Sequence, residues 1–171
     1  MPAKVRLNLP SSLWTAKDSA RLALNTLATI KLRTSRGIDA NGKPFVGYST
    51  RPLYVAYRGA RLKPKGGRVS RTGRSVYYEG GYREYKSESR QHGVGSSALV
   101  DLTLSGALMN NLMVLQATDS FFIIGLTQEV RRYGYKVNAE REFLGLSPRG
   151  VDVLVSTVQA EIAKKIKRGR S

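Results

Sequence analysis

A chain of 171 residues with 41% apolar and 24% charged side chains is long enough to bury one core without staples, and too apolar to be wholly disordered. Its 29 Lys+Arg against 12 Asp+Glu give a net charge of +17, which predicts attraction to polyanions and self-repulsion of a lone compact monomer. With no cysteine, neither a disulfide framework nor a thiolate metal site can form.

The N-terminal stretch MPAKVRLNLPSSLW lacks the apolar core of a secretory signal. The longest apolar run is Phe121-Phe122-Ile123-Ile124, far short of a bilayer span. The expectation is a protein neither secreted by the usual signal nor integral to a membrane. Residues 1–10 read as a short basic lead ending at Pro10. A helix should follow, capped by Ser11 or Ser12, with Leu13, Ala16, Ala20, Ala23, Leu24, Leu27 and Ile30 along one face. Thr34-Ser35-Arg36-Gly37 stops it, and its place is over a sheet.

In residues 33–49, Asp39-Ala40-Asn41-Gly42 is turn chemistry, because Asn-Gly accepts positive φ cheaply. A calcium loop would need more acids and a closing Glu, and only Asp39 is acidic here. The segment reads as an ordered turn that delivers Phe45 and Tyr48 to a core or an interface.

Residues 50–98 differ in kind. Between Arg51 and Arg90 lie eleven Lys/Arg and three Glu, and seven of the nine tyrosines fall between Tyr48 and Tyr85. The first part, RGARLKPKGGRVSRTGRS, is too polar to fold alone and predicts an extended arm or long loop. The second, SVYYEGGYREYK, predicts a β-hairpin turning at Gly80-Gly81. The third, SESRQHGVGSSA, reads as a flexible return. The sole histidine, His92, sits there without a nucleophile motif and reads as solvated. Basic residues interleaved with tyrosines fit two uses. One is a single-strand nucleic-acid surface, with Arg61, Lys63, Lys65, Arg68, Arg71 and Arg74 facing the polyanion. The other, favoured on tyrosine's enrichment at protein interfaces, is subunit contact through Tyr54, Tyr57, Tyr77, Tyr78, Tyr82 and Tyr85.

Asp101 or Thr103 can cap a short helix carrying Leu104, Ala107, Leu108 and Leu112, with Gly106 inside it at a cost of roughly 1 kcal/mol. Residues 113–116 and 120–126 predict an antiparallel pair joined by Ala117-Thr118-Asp119. Phe121, Ile123 and Gly125 fall on one face of the second strand; Phe122, Ile124 and Leu126 fall on the other. With both faces apolar, this strand should be covered on both sides, by a helix and by a second sheet or another subunit. Residues 127–142 are polar and mixed, with at most a turn of helix interrupted at Tyr133-Gly134-Tyr135. Phe143-Leu144-Gly145-Leu146 then leads to Ser147 as N-cap and Pro148 at the first helical position. Val151, Leu154, Val155, Val158, Ile162 and Ile166 make one stripe of the final helix. Its cationic end, Lys164-Lys165-Ile166-Lys167-Arg168, suits the helix dipole.

The chain has no phosphate-binding loop, dinucleotide fingerprint, zinc-protease motif or nucleophile elbow. Glu140 and Glu142 flank Arg141 as surface charge rather than as an acid pair. The reading is of a non-enzyme without cofactor or metal.

The order of segments resembles the virion morphogenesis, or tail completion, proteins of tailed bacteriophages and the related head–tail joining, neck and tail terminator proteins. The pieces that carry it are Arg36-Gly37-Ile38-Asp39-Ala40-Asn41-Gly42-Lys43-Pro44-Phe45 with Tyr48-Ser49; Tyr82-Arg83-Glu84-Tyr85-Lys86; Leu102-Thr103-Leu104-Ser105-Gly106-Ala107-Leu108; Ile123-Ile124-Gly125; and Arg141-Glu142-Phe143-Leu144-Gly145-Leu146-Ser147 before the last helix. They span residues 12–166. The sequence departs from that pattern at Arg131-Arg132-Tyr133-Gly134-Tyr135, where the family often has an Ala-x-x-His-Gln-like segment. The resemblance implies one α+β domain over residues 1–171. A twisted antiparallel sheet would be flanked by the N-terminal and C-terminal amphipathic helices, with 50–98 as a long basic arm or hairpin insertion.

It also implies a homo-oligomeric ring, six-fold favoured, in the virion at the head–tail junction and assembled in the host cytoplasm. Its neighbours would be the connector or adaptor and the tail tube or sheath. Some of the cations of 61–74 would then face a lumen in non-specific contact with packaged DNA, or an acidic neighbour. The alternative is a nucleic-acid-binding protein that uses the same basic, tyrosine-rich segment.

Overall fold

The computed structural model describes residues 2–9, 13–57, 65–89 and 100–168. The fold is α+β. In chain order the described elements are β1 (Ala3–Arg6), α1 (Ala16–Ser35), β2 (Leu53–Ala56), β3 (Arg68–Val69), β4 (Ser75–Tyr78), α2 (Gly81–Ser89), α3 (Ala107–Asn110), β5 (Leu112–Ala117), β6 (Phe121–Leu126), α4 (Gln128–Glu140) and α5 (Pro148–Arg168). They form two three-stranded antiparallel sheets, ordered β1-β6-β5 and β2-β4-β3.

The β5–β6 antiparallel pair forms as expected, with a register shift between Val114 and Gln116. Phe122, Ile124 and Leu126 point inward and are fully buried under α1. The basic lead holds a strand the composition hides. Lys4 and Arg6 point out while Val5 is half-buried, and Ala3 pairs with Ile124 and Arg6 with Phe121.

α1 starts later than expected. Ser11 and Ser12 lie outside the described residues, and the cap is Thr15. Its hydroxyl accepts from Asp18 N (3.3 Å), while Asp18 Oδ2 accepts from Thr15 N (3.0 Å), a reciprocal capping box. The buried face is Ser19, Leu22, Ala23, Thr26, Ile30 and Thr34, and Leu24, assigned to that face from the sequence, is exposed. The small residues let the helix approach the sheet closely. Buried Trp14 donates its indole N–H to Ser19 Oγ at 2.8 Å and Thr26 Oγ1 donates to the Leu22 carbonyl at 2.9 Å, so two of the three polar residues on that face are paired.

α5 forms where Ser147-Pro148 places it. Ser147 Oγ accepts from Gly150 N at 3.1 Å. The helix lies against α1, tied by Arg21–Glu161 at 2.8 Å and by Lys165 to Asp18. Arg33 fixes the preceding turn by donating to the carbonyls of Phe143 (2.6 Å) and Gly145 (2.9 Å). Of the expected stripe, Val158 is buried and Leu154 and Ile162 half-buried, whereas Val151, Val155 and Ile166 are exposed.

Two helices differ from expectation. Residues 128–140 form a full α4, not an interrupted turn. Gly134 does not break it; it is the contact point with the core. A Cβ there would lie 2.1 Å from Leu126 Cδ1 and 2.9 Å from Leu108 Cδ1. The helix around Gly106 is shorter than expected. Gly106 is its N-cap at φ 78, not an interior residue. Asp101 and Thr103 do not cap it; Asp101 is buried and accepts from Thr103 N (3.1 Å).

The described part of residues 50–98 is a second packed unit. The hairpin is β3–β4, turning at Gly73 (φ 65), rather than at Gly80-Gly81. There the chain enters α2 instead of returning as a strand. Gly81 has φ 67, and a Cβ on it would sit 2.3 Å from the Arg51 carbonyl oxygen, so only glycine fits this corner. Val76, Tyr78 and Tyr85 form the small core of this unit. Residues 58–64 and 90–98 of the expected arm, His92 included, lie outside the described residues.

Candidate functional site

Three surface features stand out, each set by a simple packing fact. The first is the outer face of the main sheet. α1 covers one face; on the other, Met113 and Leu115 are 43% and 40% exposed, and Phe121 and Ile123 are half-buried. Leu115 lies over Gly125, where a Cβ would come within 2.7 Å of Leu115 Cδ1. Lys4 holds its ammonium 4.2 Å above the Phe121 ring. Among the described residues no element packs on this face.

The second is the outer face of the small sheet. Tyr54 and Tyr77 are register partners whose rings sit 5.0 Å apart. Arg68 pairs with Tyr77 from the other side, and its guanidinium lies 5.8 Å from the ring centroid. It also bonds Glu79 at 2.6 Å, with both side chains about three-quarters exposed. Lys65, Arg71 and Arg74 are exposed along the same hairpin. Tyr57 N donates to the Arg74 carbonyl (2.8 Å), which sets an exposed tyrosine beside that cation.

The third is a cleft of about 730 Å³ where the two units meet, with Tyr48, Tyr82, Leu104, Leu108, Tyr133 and Val137 among its walls. At its floor Lys86 is 4% exposed. Its ammonium donates to Asp101 Oδ1 at 2.7 Å and to the Tyr48 hydroxyl, and lies 4.1 Å from the Tyr48 ring centroid. The Arg141 guanidinium lies 5.2 Å from the same ring centroid and donates to the carbonyls of Val46 and Gly47 at 3.2 Å. Burial pushes the phenols of Tyr82 and Tyr133 up, so both stay neutral at physiological pH. Of the cations bordering this space, Lys86 ties α2 to Asp101 and Tyr48, while Arg141 holds the backbone at Val46 and Gly47.

The six tyrosines assigned to subunit contact therefore separate. Tyr54 and Tyr57 are exposed and Tyr77 is half-buried beside Tyr54. Tyr78 and Tyr85 are buried within the chain, their rings 5.4 Å apart, and Tyr82 is half-buried against Tyr48 and Tyr85. The tyrosine count in the sequence served an internal core as well as a surface, because a short, glycine-rich unit has few aliphatic residues to bury. Of the six cations, Lys65, Arg68, Arg71 and Arg74 are exposed, while Arg61 and Lys63 lie outside the described residues. The Lys86–Asp101 pair was invisible in the sequence, where Lys86 stood among many cations and Asp101 resembled a helix cap.

Among the described residues no group of three or more His, Cys, Asp or Glu side chains could hold a metal ion, and no helix is long and apolar enough to cross a membrane. Comparison of the chain with protein-family models, curated proteins and solved structures finds no match in any of the three.

Proposed function

We propose that this chain is a structural, non-enzymatic protein of a bacteriophage virion, part of the head–tail neck or the tail terminus, and that it works as a ring of identical copies, six-fold favoured. One observation supports assembly above the others: the outer face of the main sheet presents Met113, Leu115, Phe121 and Ile123 with no described element over them. Apolar surface of that kind marks an interface. Val151, Val155 and Ile166 add a second exposed apolar band on α5.

Charge favours a ring over a symmetric pair. The sheet face carries Lys4 and Arg6 on its β1 edge, and packing it against itself would oppose like charges. A head-to-tail contact sets it against a different surface, and such contacts give rings when they close. The resemblance in segment order supplies the virion context: connector or adaptor on one side, tail tube or sheath on the other. The exposed cations of the β3–β4 hairpin would face the lumen or an acidic neighbour.

Negative-stain images of the purified protein test this. Ring-shaped particles are expected for the native chain, and dispersed small particles with an unchanged circular-dichroism spectrum for M113E/L115E. Rings that persist in that variant would remove the sheet face from the assembly.

A further inference from the structure

We infer that the outer face of the small sheet binds single-stranded nucleic acid. Arg68, Tyr77 and Tyr54 form one row across β3, β4 and β2 by register. On the opposite face of the same sheet Val76 and Tyr78 are buried. Tyr54 is 66% exposed, and its ring lies 5.0 Å from that of Tyr77. These two tyrosines add nothing to the unit's core, which is built from Val76, Tyr78 and Tyr85. They are large aromatic surfaces held in place by a strand pair, Tyr54 open to solvent and Tyr77 half-buried between Tyr54 and Arg68.

The charge around the row has the sign a phosphate chain needs. Arg68, Arg71 and Arg74 are exposed along this hairpin, and Glu79 is held by an exposed pair with Arg68; the other described acid nearby, Glu88, lies against Gly66 beside Lys65. Exposed pairs are weak, so a phosphate can take Arg68 from Glu79. Cations alone would suit any polyanion. Cations beside open rings select one whose flat faces are free to stack, which means unpaired bases. In a duplex the base faces are covered by their neighbours, and the tyrosines would have no work to do. An acidic protein surface would use the cations and leave the ring pair without a planar partner.

The inference is independent of the assembly reading, which rests on the main sheet and α5. Fluorescence anisotropy of the full-length protein with a labelled twenty-nucleotide oligo-dT and with a duplex of equal length tests it. The single strand should bind more tightly than the duplex at the same salt concentration. Y54A/Y77A should weaken the single strand by about tenfold or more and leave the duplex nearly unchanged. R71Q/R74Q should flatten the dependence of log affinity on log salt by about 0.7 for each phosphate no longer neutralised. The single variant Y54A, at a largely exposed position, repeats the test without disturbing the sheet. Equal binding of duplex and single strand, no loss on removing the tyrosines, or no binding at all would each overturn the inference. Light scattering on the same samples keeps this result separate from the oligomeric state.

Discussion

Replacing Asp101 with alanine should be one of the most damaging single changes in this protein. Lys86 and Asp101 are 4% and 6% exposed and 2.7 Å apart. Removing the carboxylate takes from the buried Lys86 ammonium its Asp101 partner, and also takes an acceptor from Thr103 N. Breaking a buried pair from one side costs roughly 3–5 kcal/mol, against a total stability of about 5–15 kcal/mol for a domain. Urea unfolding followed by circular dichroism should therefore show the midpoint falling by more than about 1 M. An Asp101→Ala midpoint within about 0.5 M of the native value would refute the reasoning.

Gly134→Ala sets two effects against each other. Helix propensity gains about 1 kcal/mol, but the new methyl would meet Leu126 and Leu108 inside contact distance, and overpacking a core costs about 1–3 kcal/mol. A net loss in thermal unfolding is expected; a raised Tm would show that α4 can shift freely. Asp18 carries a pH signature. Burial alone would raise its carboxyl, but hydrogen bonds from Lys165 and Thr15 outweigh that and hold it at about 2, below the ordinary 3.8. Its contribution, roughly 1 kcal/mol once solvent screening is allowed for, is complete above about pH 4 and is lost as pH falls toward 2. Asp18→Asn should thus be less stable than the native protein at pH 7, with the difference shrinking between pH 4 and 2 in acid titrations of stability.

The sequence made the long elements legible where one signal dominated. The apolar run of residues 121–126 after the turn at Ala117-Thr118-Asp119 marked β6, and Ser147-Pro148 before an apolar stripe marked α5. It misplaced elements wherever glycine had more than one use. Gly80-Gly81 had the composition of a hairpin turn, yet Gly81 is the corner at which the chain passes under the Arg51 carbonyl into a helix. Gly134 had the composition of a break, yet it is where a helix comes closest to the sheet. Such uses depend on what lies across the contact, which the local sequence does not carry. β1 was hidden for a related reason: an edge strand with one half-buried valine between two cations has little apolar signal of its own. For the interaction surfaces, the four described cations, Tyr54 and Tyr57 are exposed, while Tyr77 is half-buried. The division between Tyr54 and Tyr78, one open and one sealed, followed only from the pairing of β2 with β4.

The central claim is that the exposed apolar faces are satisfied by further copies of this chain. Multi-angle light scattering of the purified protein, from low to high micromolar concentration and across moderate salt, measures this most directly. The account predicts one mass, constant with dilution, at a multiple of the 18.9 kDa chain and near six. A monodisperse species of 18.9 kDa over that whole range would contradict it.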